Sequence, residues 1–168
     1  MVSLEQEFLQ KMEKHKGIIF KISKMYMDTR DDRDDLFQEI TYQVWKAYPN
    51  FKGQSEFSTW LYRIALNTAI VFLKTEKKRN WIRQDDFSGY AIAQEEFDPE
   101  KEEKLSAMYR AIRQLSPIDK AFIFYYLEDV SGKEIAGQMG ISEGNVRVKM
   151  NRAKNRLREI LQHPASKL

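Results

Sequence analysis

Three serines and one glycine in the last third of the chain restrict its fold more than any other feature. Ser116 stands before Pro117 with Asp119 three positions on, Ser131 stands three before Glu134, and Ser142 follows Gly140 by two. A serine hydroxyl ahead of an apolar run accepts a bond from a free N–H in the first helical turn, and an acidic residue three positions later completes that signature. Pro117 suits a first helical position, and Gly140 suits the positive φ of a helix C-terminus. These marks predict a helix opening at Ser116-Pro117 and carrying the apolar run Ala121 to Leu127. A short helix Gly132 to Met139 follows, then a long one capped by Ser142. Its stripe Val146, Met150, Ala153, Leu157 and Ile160 or Leu161 steps by three and four. Leu105, Met108, Ile112 and Leu115 supply one more helix upstream. Short helix, glycine-containing turn and long helix make a helix-turn-helix.

The N-terminal half is helical by the same periodicity. Phe8, Met12, His15, Ile19, Ile22 and Tyr26 recur at steps of three and four, one face of an α-helix. His15, on that stripe, reads as a packed side chain, since nothing nearby supplies a second metal ligand. A polar turn from Asp28 to Asp34 is expected to lead into a helix from about Asp35 to Ala47, with Phe37, Ile40, Val44 and Tyr48 as its buried stripe. Asp31, Asp32, Asp34 and Asp35 lack the alternating ligand order and turn glycine of a calcium loop, so their expected role is at a helix N-terminus. A third helix is expected from Phe57, with Trp60, Leu61, Ile64, Thr68, Val71 and Phe72 inward and Arg63, Asn67 and Lys74 on the other face.

Charge divides the chain. Residues 1–80 carry 14 basic and 11 acidic side chains, residues 81–105 carry 3 and 8, and residues 106–168 carry 11 and 6. A net charge of +3 therefore hides two basic modules around an acidic segment. An unstructured loop near 20 residues is uncommon inside a compact domain, so the segment reads as a flexible acidic linker. The expected fold is all-α: two small helical domains, residues 1–84 and 105–168, joined by a linker over 85–104. With no Cys and two His, the chain has no disulfide framework, thiolate metal site or cysteine nucleophile. No catalytic residue, metal or cofactor is expected. The N-terminus lacks the apolar stretch of a signal peptide and no run of about 18 apolar residues occurs, so the expected location is cytoplasmic, without membrane insertion.

Two regions carry the chemistry of nucleic-acid binding. Between Arg147 and Arg158 lie six basic residues and no acidic one. In a docked helix-turn-helix, side chains near the start of the second helix reach base edges and later ones meet phosphates. Arg147, Val148, Lys149, Asn151 and Arg152 are the candidates for base readout, and Lys154, Arg156 and Arg158 for phosphate neutralisation. In the first module, Lys74, Lys77, Lys78 and Arg79 with Trp81 beside them interleave charge and flat rings, as single-stranded nucleic acid requires. A solvated helix end over a core containing Trp60 and Phe72 fits the same composition, and at this point both readings stand.

In this order the features resemble a group IV, extracytoplasmic-function (ECF) sigma factor of bacterial RNA polymerase, in the sigma-70 family. DLFQEITYQVWKAY (Asp35 to Tyr48) looks like conserved region 2.2, FKGQSEFSTWLYRIALNTAIVFLK (Phe51 to Lys74) like regions 2.3 to 2.4, and Ser131 to Leu161 like region 4.2. The resemblance implies that residues 1–84 bind the clamp helices of the polymerase β′ subunit through Asp35, Gln38 and Glu39. It implies minus-ten recognition and melting by Phe51, Lys52, Gly53, Gln54, Ser55, Phe57, Trp60, Arg63, Asn67, Lys74, Lys77 and Lys78, with the Phe51 to Phe57 loop and Asn67 forming a pocket for a flipped base. Residues 105–168 would meet the polymerase β flap and recognise the minus-thirty-five element through Ser142, Asn145, Arg147, Val148, Lys149, Asn151, Arg152 and Arg156. Promoter DNA, core polymerase and an anti-sigma factor are the implied partners. Lys52, Gln54, Glu56, Val148 and Asn151 occupy positions that vary within the family, which leaves the flipped base and the upstream motif unnamed. Two other classes are the alternatives: a stand-alone helix-turn-helix repressor, which predicts tight binding to a symmetric site without polymerase, and a nucleic-acid enzyme, for which no catalytic constellation is present.

Overall fold

The computed structural model describes residues 2–82 and 99–163, with side chains over 2–75 and 103–163. The chain divides into two compact units, residues 1–91 and 92–168. All regular structure among the described residues is helical.

Unit 1 contains α1 (Leu4–Tyr26), α2 (Arg30–Ala47), a 3₁₀ turn (Tyr48–Asn50) and α3 (Phe57–Ile82), with each helix packed on the other two. A capping box starts α1: the Ser3 hydroxyl accepts from the Gln6 N–H, and the Gln6 side chain accepts from the Ser3 N–H, both at 3.1 Å. The predicted stripe of α1 is buried through Phe8, Met12, Ile19, Ile22 and Tyr26. His15 is half-buried with its ring 5.2 Å from that of Phe57. Burial first, then the positive charges of Lys14 and Lys11, lower its pKa below 6.5.

The second helix starts five residues earlier than the sequence suggests, at Arg30 rather than Asp35. The reason is Thr29, whose hydroxyl accepts from the Asp32 N–H at 3.2 Å, so the acidic run stands at the positive helix end instead of in a turn. Arg33 closes the α1–α2 turn by donating to the Met27 and Asp28 carbonyls at 2.9 and 3.0 Å. Leu36, Ile40 and Val44 face inward. Phe37, expected there, is half-buried against Phe20 at 4.5 Å.

The inward face of α3 also differs from expectation. Phe57, Leu61, Ala65, Leu66 and Ala69 are buried, whereas Val71 is 63% exposed and Trp60, Ile64, Thr68 and Phe72 are half-buried. Packed against both α1 and α2, this helix buries a face widened by two alanines, and small residues carry little signal in an apolar stripe. Each large aliphatic side chain closed off in this core, such as Ile19, Ile40 or Leu61, contributes roughly 1.5–3 kcal/mol relative to exposure.

Unit 2 holds α4 (Pro99–Arg113), α5 (Pro117–Leu127), α6 (Gly132–Met139) and α7 (Glu143–Gln162). The start of α4 lies six residues inside the expected linker, because proline's fixed φ is tolerated in a first helical turn. Residues 85–98 of that linker lie outside the described ones. The three serine caps are all formed: Ser116, Ser131 and Ser142 hydroxyls accept from the N–H groups of Asp119, Glu134 and Asn145 at 3.1, 3.1 and 3.0 Å. Gly140 takes φ 70° and ψ 34°, and its N–H bonds the Ala136 carbonyl at 2.9 Å. At the end of α5 the same left-handed region is occupied by a non-glycine, Asp129, with φ 54°. Residues Lys120 to Tyr125 are all buried, so α5 is the centre of the unit, packed by α4 and α7. The Tyr125 hydroxyl donates to Gln138 at 2.6 Å and ties α5 to α6. Ile135 of α6 and Val146 and Ala153 of α7 complete the interior.

Candidate nucleic-acid interface

With Val146 and Ala153 turned inward, the helical repeat turns Val148, Asn151 and Asn155 outward on α7. Arg147, Val148, Asn151 and Arg152 are exposed, Val148 by 49%, and Lys149 is half-buried. Arg147, Val148, Asn151 and Arg152 thus share one solvent-facing surface over the first half of α7, while Lys149 lies beside the buried face. Ser142 and Asn145 are exposed as well, but the Ser142 hydroxyl already accepts the Asn145 N–H as the helix cap. The Gly140 turn fixes how α6 delivers the chain into that cap.

The candidates for phosphate neutralisation are placed differently. Arg156 donates to Asp119 on α5 at 2.9 Å. Lys154 stands over the Tyr126 ring, its ammonium 4.5 Å from the centroid. Arg158 donates to Asn155 at 2.8 Å. Asp119 and Tyr126 were missed as partners by sequence reasoning, which read Asp119 only as part of a cap. Asp119 and Arg156 are 37 positions apart, and no local periodicity links residues at that distance.

In unit 1 the loop between the 3₁₀ turn and α3 turns at Gly53, φ 71°. Lys52, Gln54 and Ser55 are exposed on it, and the Ser55 hydroxyl donates to the Glu56 carbonyl at 3.2 Å. A ring cluster supports the loop from below. Phe51 lies 4.9 Å from Trp60 and 5.7 Å from Phe57, and Phe57 lies 5.5 Å from Trp60. Tyr48 closes the cluster within 6.3 Å of all three. Phe57 is only 6% exposed, so among the candidates it is a core side chain, whereas Phe51 and Trp60 keep part of their rings in solvent. Burial and the neighbouring Glu7 carboxylate raise the Tyr48 pKa and keep its hydroxyl protonated.

Arg63, Asn67 and Lys74 are exposed along α3 as expected; the side chains of Lys77 and Lys78 lie outside the described ones. Asn67 is ten residues beyond Phe57, roughly 15 Å along the helix. It lines a groove of about 520 Å³ with Glu39 and Gln43 of α2 and Thr68, Val71, Phe72 and Thr75 of α3, a groove that includes none of residues 51–57. Glu39 is half-buried there and accepts from the Gln43 side chain at 3.0 Å. Gln38, exposed, belongs to the other flank of α2, beside Leu9, Tyr42 and Trp45. Asp35 is exposed at the start of the same helix. The three candidate polymerase contacts, at i, i+3 and i+4, share the outer face of α2 opposite Leu36, Ile40 and Val44, with Glu39 and Gln38 edging different grooves. Among the described residues no group of His, Cys, Asp or Glu is arranged to hold a metal ion, and no described helix is long and apolar enough to cross a membrane.

Comparison with known proteins agrees with this division. Sigma-70 region 2 matches residues 12–79, and sigma-70 region 4 matches residues 105–157. The ECF RNA polymerase sigma-E factor of Escherichia coli K12 is 32% identical over 134 residues, which span 73% of this chain and 70% of that protein. The ECF RNA polymerase sigma factor SigG of Mycobacterium tuberculosis is 29% identical over 164 residues, covering 82% of this chain and 44% of the other. Among solved structures, the fold is similar to that of the sigma factor RpoE in complex with the anti-sigma factor NepR from Bartonella quintana, with a TM-score of 0.70 at 22% identity, covering 94% of this chain and 98% of that one. CnrH in complex with the cytosolic domain of CnrY gives a TM-score of 0.66 at 19% identity, covering 94% and 89%. The chain belongs to the sigma-70 family, as an ECF sigma factor and hence an alternative sigma factor of bacterial transcription initiation.

Proposed function

We propose that the chain binds core RNA polymerase and directs it to promoters with two separated elements, unit 2 reading the upstream one and unit 1 the downstream one. The observation that carries this reading is the exposed row Arg147, Val148, Asn151 and Arg152 on a helix whose opposite face is buried. Arginine and asparagine offer bidentate bonds to guanine and adenine edges in a major groove, each worth roughly 1–3 kcal/mol of discrimination.

Unit 1 would act on a single strand of the minus-ten element. Phe51 and Trp60 supply partly exposed rings for stacking, with Lys52 beside them, while Arg63, Asn67 and Lys74 extend a polar and basic track along α3. Extracting a base costs a few kcal/mol of stacking and pairing, which ring contacts and a charged track can offset without ATP. The outer surface of α2, with Asp35, Gln38 and Glu39, would meet the clamp helices, and a surface of unit 2 the β flap. The chain would work in the cytoplasm, without bond chemistry of its own. One structural neighbour is a sigma factor in complex with an anti-sigma factor, which supports an anti-sigma factor as its negative regulator.

Transcription in vitro with purified core polymerase on genomic fragments, followed by mapping of start sites, tests the reading and defines the promoter motif. Arg152→Ala should reduce upstream recognition about thirtyfold, the middle of the range for one base contact, and leave melting intact once bound. Asn67→Ala should impair open-complex formation far more than duplex binding. Asp35→Lys should weaken the association with core polymerase. Start sites that do not depend on the added chain would remove the proposal.

A further inference from the structure

Charge and position along α7 allot Lys154 and Arg156 to DNA phosphates, yet both side chains turn toward α5. They are two positions apart, hence about 200° apart around the helix and roughly 3 Å along it. Ala153, fully buried, lies between their two directions. The two cations therefore leave α7 on opposite flanks of its buried face.

Their partners are far apart. Asp119 stands in the first turn of α5 and Tyr126 in its last, seven residues or roughly 10 Å away. Two neighbouring positions on one helix thus hold the two ends of another, an arrangement that requires α5 to lie across α7. Each contact adds, to the packing of Val146 and Ala153, a restraint on roll of α7 toward one flank. Together they oppose roll in both senses. The Asp119 carboxylate is mostly enclosed, 13% exposed against 61% for Arg156, so the pair is anchored on the α5 side, where Asp119 also follows the Ser116 cap.

We infer that Arg156 and Lys154 are positioning residues that fix the roll of the recognition helix on α5, and that Asp119 and Tyr126 are the fixed points they grip. The consequence falls on base readout: a roll of α7 turns Arg147, Val148, Asn151 and Arg152 together away from their base edges. A phosphate contact would behave otherwise, weakening all sequences alike and removing about 0.9 from the salt slope.

The inference rests on the reading of α7 as a DNA-recognition helix, and the test separates the two. Holoenzyme reconstituted from core polymerase and the full chain is titrated, over a salt series, against a duplex element enriched from a random pool by the unmodified holoenzyme and against its scrambled counterpart. Arg156→Ala should lower the preference for the enriched duplex about threefold, within what an exposed ion pair supplies, with the salt slope unchanged. Arg156→Lys should keep most of the preference. Exchanging the charges, Asp119→Arg with Arg156→Asp, should restore it. Asp119→Asn leaves Arg156 in place and should lower the preference in the same way. A salt slope reduced by about one in Arg156→Ala, with equal weakening on both duplexes, would show a phosphate contact and overturn the inference. So would tighter binding with a steeper slope in Asp119→Asn, which would mean that Asp119 merely withholds Arg156 from DNA. Arg152→Ala reports on the underlying reading: if it changes neither duplex, α7 does not read DNA, whatever Arg156 does. Should Arg156→Ala fail to fold, Asp119→Asn and the charge exchange still decide the matter.

Discussion

The two units use their aromatic and basic residues in opposite ways. In unit 1 the rings that frame the candidate single-strand site, Phe51 and Trp60, are in contact with the buried ring of Phe57, so the contact surface and the core form one cluster. In unit 2 the exposed candidates Arg147, Val148, Asn151 and Arg152 and the core residues Val146 and Ala153 occupy opposite faces of α7. A change at the unit 1 site should therefore disturb folding as well as binding, whereas unit 2 should allow the two to be altered separately. A shared cluster makes the candidate single-strand surface rigid; a divided helix leaves the candidate readout surface free to vary.

The largest expected effect tests the shared cluster. Phe57→Ala should cost unit 1 about 3–5 kcal/mol, as removal of a buried ring does, whereas Arg152→Ala should stay within about 0.5 kcal/mol of the parent. All three tryptophans, Trp45, Trp60 and Trp81, lie in unit 1, so their fluorescence in urea follows that unit alone, and amide exchange of α5 follows unit 2. Similar costs for the two variants would erase the contrast. Next in size, Gly140→Ala should destabilise unit 2 by about 1 kcal/mol or more, since φ 70° crowds a Cβ. Ser142→Ala should cost about 1 kcal/mol by releasing the cap of α7. Asp129→Gly should gain roughly 0.5–1 kcal/mol, because glycine enters φ 54° without steric cost. A destabilised Asp129→Gly would mean that the aspartate side chain contributes more than its backbone strain removes.

The smallest effect is one of pH and belongs to unit 1. The folded pKa of His15 lies below 6.5, so the unfolded chain takes up the proton first. The stabilisation is fully present above the unfolded value near 6.5 and is lost as pH falls toward the folded value. The urea midpoint read by tryptophan fluorescence should thus decline on acidification below about pH 6.5, and His15→Gln should flatten that part of the decline. An equal decline in the variant would assign it to carboxylates.

Local signals were readable in the sequence, and distant ones were not. Ser116, Ser131, Ser142 and Gly140 act on backbone groups within four residues of themselves, and each ends or begins a helix where predicted. The start of α2 differs from expectation because Asp31, Asp32 and Asp34 suit a polar turn, while the decisive residue is the threonine before them. The face of α3 was misjudged because Ala65 and Ala69, fully buried, look neutral beside Trp60 and Phe72. At the candidate site, the exposed row on α7 follows from helical period alone. The engagement of Arg156 by Asp119 does not, since it depends on how α5 crosses α7. The placement of Asn67 in a groove with Glu39 likewise depends on the packing of α2 against α3.

Ala153 sits where α5 and α7 meet, with no accessible surface. Interaxial distances in helix pairs range over about 8–10 Å with the bulk of the side chains between them. A methyl group is among the smallest side chains that a helix crossing can hold, so it permits a close approach. On the proposed reading of α7 as a recognition helix, the depth to which it could enter a groove would depend on a residue that never meets a base. Enlarging it to valine or leucine would lift the helix outward and retune recognition with every contacting side chain left unchanged.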